Sequence, residues 1–168
     1  MKTYNYGVWL VLVIADAGPR PAARMRVWRA LKAMGAAVVR DGVYLLPDRD
    51  DLRVKLAEQR GDVDAAGGSA LLFAAPGIGS DDAATLRNFF DRSADYAALT
   101  QSAGRLAQQM RGLPESKARR ALRALQHDYE KIESIDYFLT PSRTEAANTI
   151  AAARETFFAR GARMQSKM

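Results

Sequence analysis

The apolar positions of this chain change period several times, and each change marks an element. Val8–Ile14 is a continuous apolar run rich in branched residues, the pattern of a central strand covered on both faces. Gly18, Pro19 and Pro21 break that run, and Pro21 suits the first turn of a following helix. Within Arg24–Pro47, the positions Val27, Ala30, Leu31 and Met34 recur at helical spacing. Trp28 stands on the shoulder of that stripe, and Arg26, Arg29 and Lys32 face away from it. Gly35 supplies the C-terminal stop. Ala36–Val39 and Val43–Leu46 then flank Arg40-Asp41-Gly42 as two short strands around a tight turn. Asp48–Asp51 offers N-caps and acidic first-turn residues to a second helix, on which Leu52, Leu56, Val63 and Ala66 share one face. Gly67-Gly68 ends it, and Ser69–Ala75 reads as another buried strand closed by Pro76-Gly77.

This order of strand, helix, strand, strand, helix, strand predicts an α+β, ferredoxin-like (βαββαβ) antiparallel sheet domain over residues 1–77, with two helices on one face. Residues 78–168 read as a helical extension packing on it. A long stripe from Leu86 through Phe89, Phe90, Ala97, Ala103 and Ala107 runs to a turn near Gly112-Leu113-Pro114. The next helix places Ala118, Ala121, Leu122, Leu125, Tyr129 and Ile132 on one face. Residues 134–139 alternate and are expected to add an edge strand. Ser142-x-x-Glu145 is a capping-box signature opening a final helix with Ile150, Ala153 and Phe157 inward. Trp9, Trp28, Phe89 and Phe90 are read as core.

Two stretches carry a family resemblance. RMRVWRALKAMGAAVVRDGVYLLP (residues 24–47) and YEKIESIDYFLTPSRTEAANTIAAA (residues 129–153) closely resemble the N-terminal domain of the ChrB family of chromate-resistance regulators. With the Val8–Ile14 strand, the resemblance spans nearly the whole chain. It implies a transcriptional regulator, a repressor of chromate-resistance genes, that binds promoter DNA, responds to the chromate dianion and works as a homodimer in the cytoplasm. Members of the family usually continue into a second domain, whereas this sequence stops at Met168. The central stretch is also distantly similar to the small CRISPR-associated adaptation nucleases and to the C-terminal part of the phenylacetate-degradation repressors.

Composition sharpens the search for chemistry. There are 25 Lys+Arg against 19 Asp+Glu, a formal net charge of +6. The cations are mostly arginine, whose planar fork engages two oxygens of an oxyanion at once. Two basic groups stand out as DNA contacts: Arg20, Arg24, Arg26, Arg29 and Lys32 before and along the first helix, and Lys117, Arg119, Arg120 and Arg123 on a later one. No oxyanion site is read from the sequence. Asp16, at the end of the first strand, matches a metal-holding position of the adaptation nucleases, which makes a metal-dependent nuclease the alternative reading; an interaction module without nucleic acid is the third. His127 is the single histidine, and the absence of cysteine removes thiolate metal sites, thiol nucleophiles and disulfides. No cofactor is expected. Val8–Ala15 is too short to cross a bilayer, only Lys2 precedes it and no cleavage site follows, so neither a membrane span nor a signal peptide is expected.

Overall fold

A computed structural model describes residues 7–77, 79–110 and 112–165 of the chain. It divides into two compact units, Met1–Phe90 and Asp91–Met168.

The first unit is mixed α/β. Its elements run β1 (Val8–Asp16), α1 (Pro21–Ala33), β2 (Ala37–Arg40), β3 (Val43–Pro47), α2 (Asp50–Ala65), β4 (Ser69–Pro76) and α3 (Ser80–Asn88). The strands form one four-stranded sheet in the order β2-β3-β1-β4, and every neighbouring pair is antiparallel. Register places Leu10 opposite Leu46 and Ala74, and Leu12 opposite Tyr44 and Leu72, so these residues share one face. Ile14 and Tyr44, on that face, line a common cavity with Val27 of α1 and Val63 of α2, so both helices cover this side. Leu12, Leu46, Leu31, Leu52 and Leu56 are all fully buried. Each contributes about 2 kcal/mol of hydrophobic stabilisation.

Two local devices fix how α1 is joined to the sheet. Gly35 has a φ of 65° just past the helix, its N–H donates to the Lys32 carbonyl and the Ala36 N–H to the Leu31 carbonyl. This is the paired closure that favours glycine in the left-handed position. Asp41-Gly42 makes the β2–β3 turn, with Gly42 at a φ of 76°. Its carbonyl accepts a bond from the Ile14 N–H at 2.7 Å, which locks the hairpin tip against β1.

Several expectations need correction. β1 is not covered equally on both sides: Leu71 and Phe73, which pair with Val13 and Val11 on the face away from the helices, are exposed. Trp9 and Phe90 are buried and stack with ring centroids 5.7 Å apart, but Trp28 and Phe89 are exposed rather than core. The stack lies within the first compact unit, which runs to Phe90. Asp48 and Asp51 do not cap α2; Arg49 occupies the cap position without a capping side-chain bond, while Asp48 accepts from Arg53 at 2.6 Å and Asp51 from Arg49 at 2.9 Å.

The second unit is helical, with α4 (Ser93–Gln109), α5 (Glu115–Ser134) and α6 (Ser142–Gln165) packed pairwise. The expected long stripe is therefore broken between α3 and α4. Asp91 causes the break, since its carboxylate accepts bonds from both the Ser93 N–H and hydroxyl, a local alternative to helix continuation. Tyr96, Leu99, Leu106, Met110, Leu122, Leu125 and Ile150 form the core. Ala103, Ala118, Ala146 and Ala153 are fully buried among them and permit close helix approach.

Residues 134–139 form no strand. Ser134 ends α5 and the following residues turn, with Leu139 in the left-handed region at a φ of 56°. Asp136 explains why. Its buried carboxylate accepts the Tyr96 hydroxyl at 3.1 Å, the Thr140 N–H at 3.0 Å and the Thr140 hydroxyl at 3.0 Å. A side chain thus satisfies the backbone that a sheet edge would otherwise have paired. Arg143 extends the cluster by donating to Glu133 and to the Tyr129 hydroxyl. Ser142 is the first residue of α6 rather than its cap, and its buried hydroxyl has no hydrogen-bond partner, so the capping box is not formed.

Candidate nucleic-acid interface

All nine basic residues singled out from the sequence are exposed. They fall in both units, and each group is described by itself.

On α1, Arg26, Arg29 and Lys32 recur every third residue on the side opposite the buried Ala23, Val27 and Leu31. Successive members of such a row are surface neighbours on a helix. Arg29 Nε donates to the Met25 carbonyl at 3.1 Å, which holds its stem along the helix. Lys32 Nζ lies 5.0 Å from the centre of the Trp28 ring. Arg26 meets Asp62 of α2 at 3.5 Å, but both side chains are well exposed, so the pair is worth about 0–1 kcal/mol and is easily exchanged. Arg20 is the N-cap residue, and its carbonyl takes the N–H groups of Ala23 and Arg24. Arg24 does not join the row; it turns towards the cavity lined by Trp28 and Tyr44.

On α5 the same pattern recurs. Lys117, Arg120 and Arg123 stand three residues apart, with Arg119 adjacent, away from the buried Ala118, Leu122 and Leu125. Glu115, Ser116, Arg119, Arg120 and Arg123 line one surface depression of about 560 Å³. Arg119 is the most engaged member, bound to Glu115 at 2.6 Å and stacked 5.8 Å from the Phe157 ring. Lys117, Arg120 and Arg123 carry no ion pair among the described residues. The group lies in the first half of α5, where the helix dipole adds positive potential. Like charges at this spacing cost a helix roughly 0.2–0.5 kcal/mol per pair. A docked anion would remove that repulsion.

Asp16 sits where expected, at the end of β1, but its Oδ1 accepts the Gly18 N–H at 2.9 Å and so closes the loop into α1. Among the described residues no three His, Cys, Asp or Glu side chains come together as a metal-holding group. His127 is exposed on α5. No helix among the described residues is long and apolar enough to cross a membrane. The sequence reading missed the Asp136 cluster and the cavity beside Arg24. Asp136, Thr140 and Arg143 lie inside the second motif, but Tyr96 lies outside it, forty residues before Asp136, too far along the chain to be paired by spacing.

The structure thus defines a class: an α/β sheet unit followed by a helical unit, each displaying an arginine-rich helix face. The chain belongs to the ChrB family, since the family model described as Protein ChrB, N-terminal, matches residues 24–164. It is 31% identical over 130 residues to Protein ChrB of Cupriavidus metallidurans, a match covering 77% of this chain and 40% of that protein. The chain therefore spans well under half the length of that relative. In fold it is similar to the uncharacterized protein Rv0674 from Mycobacterium tuberculosis, with a TM-score of 0.52 at 18% identity, covering 98% of this chain and 65% of that one.

Proposed function

We propose that this protein is a DNA-binding regulator of chromate-resistance genes, acting as a repressor at their promoter. The observation that carries the reading is the repeated arrangement of α1 and α5: three cations at every third position on a solvent-facing side, most of them without an ion pair among the described residues. Such rows neutralise successive phosphates and orient a protein on a duplex without reading bases. Membership of the ChrB family supplies the chromate context. We read the sheet unit as ferredoxin-like, because β1 lies between β3 and β4 while α1 and α2 share one face. A cytoplasmic homodimer is part of the proposal, since two-fold pairing would double the phosphate contacts.

A gel-shift titration against DNA upstream of the protein's own gene, with and without chromate, tests this. A discrete complex that unrelated DNA competes for poorly, and that chromate releases, supports a chromate-responsive repressor. Equal affinity for all duplexes, or indifference to chromate, overturns that part of the reading.

A further inference from the structure

The first unit holds a cavity of about 570 Å³ between α1, α2 and the β2–β3 turn. This lies within the range of small-molecule sites, about 300–1,000 Å³. Its walls are mainly apolar, with Ile14 from β1, Val27 and Trp28 from α1, and Val63 from α2. Trp28 is 43% exposed and borders the cavity, with Lys32 Nζ 5.0 Å from its ring centre. Two opposite charges border the same space. Arg24 has no ion pair or hydrogen bond from its guanidinium, and Asp41 has neither from its carboxylate, among the described residues. They do not pair with each other, although both line the cavity. Asp62, the other lining carboxylate, has a partner in Arg26 at 3.5 Å, in an exposed and weak pair.

We infer that this cavity binds a small zwitterion with an apolar body, of the kind of a hydrophobic α-amino acid. The ammonium group would donate to Asp41, the carboxylate would lie on the Arg24 fork, and the apolar body would cover Trp28 and the aliphatic wall. A purely anionic ligand would meet the Asp41 and Asp62 carboxylates, and a purely cationic one would leave Arg24 unmatched. The zwitterion alone satisfies both free charges. The field at this end of the cavity agrees with that polarity: burial, together with the Asp41 charge, raises the pKa of Tyr44 above the ordinary phenol range. The site does not depend on the DNA reading, because Arg24 stands apart from the α1 row.

Calorimetric titration of the full chain with L-phenylalanine, phenethylamine and 3-phenylpropionate tests it. The three share a ring and differ in charge. L-phenylalanine is expected to saturate one site, with each truncated analogue at least about tenfold weaker, the effect of roughly one lost charge-assisted hydrogen bond. Arg24→Gln should erase the preference over phenethylamine and keep that over 3-phenylpropionate; Asp41→Asn should do the reverse. Both positions are exposed, so the variants should fold, which circular dichroism checks. Equal binding of all three probes, no saturable binding at millimolar L-phenylalanine, or folded variants with unchanged preferences would overturn the inference.

Discussion

The Tyr96 hydroxyl donates to Asp136 at 3.1 Å, joining the start of α4 to the turn between α5 and α6 across forty positions of sequence. With Thr140 bonded to the same carboxylate, one buried side chain both closes that turn and ties it to α4. Asp136→Ala removes the acceptor and leaves the Tyr96 hydroxyl and the Thr140 N–H unsatisfied in the interior. A loss of about 3 kcal/mol is expected, because bonds to a charged acceptor are strong and orphaned donors add their own penalty. Urea unfolding followed by far-UV circular dichroism measures it.

The same pair makes stability fall in alkali. Burial raises the Tyr96 pKa, and the Asp136 charge raises it further. Above about pH 10 an unfolded chain has released the phenolic proton while the folded chain still holds it. The folded state then binds more protons, so this contribution is intact below that pH and is lost as pH rises beyond it. Thermal melts between pH 8 and pH 11 should show the decline, and Tyr96→Phe should make it shallower.

Glycine substitutions should separate strain from propensity. Gly42→Ala puts a Cβ 2.5 Å from the Ile14 carbonyl oxygen, backbone that cannot step aside, at a φ of 76°. A loss above about 2 kcal/mol is expected. Gly61→Ala in α2 meets nothing within 4 Å and should gain up to about 1 kcal/mol. Differential scanning calorimetry of both variants gives the contrast.

Asp16→Ala loses the bond that closes the loop before α1, with an expected loss of about 1 kcal/mol. DNA affinity should be unchanged. Magnesium-dependent cleavage by the wild-type chain that disappears in this variant would instead favour a nuclease.

Much of the sheet unit was legible because local signals agreed there. Pro21, Gly35 and Gly42 each stand where a break or turn demands them, and the branched Val8–Ile14 run forms the strand it suggests, although only one of its faces is covered by helices. The helical unit was less legible for two physical reasons. Asp91 stops α3 by hydrogen bonds made within three residues, which no stripe of apolar positions reveals. Residues 134–139 alternate like a strand, yet Asp136 is drawn inward by Tyr96, a partner on another helix. The basic faces were readable because helical spacing alone decides what points away from Val27 or Leu122. The cavity was not, since Arg24 and Asp41 meet it only after β1, α1 and the hairpin assemble.

The central claim is that the exposed cation rows bind nucleic-acid phosphates, and its most direct test is the salt dependence of binding. Fluorescence anisotropy with a labelled duplex, repeated across 50–200 mM salt, gives the slope of log K against log salt. For the wild-type chain a steep negative slope is expected. Arg119→Gln/Arg120→Gln/Arg123→Gln should flatten it by about 2–3, close to one unit per phosphate contact removed. A folded triple variant with wild-type affinity and an unchanged slope would contradict the account.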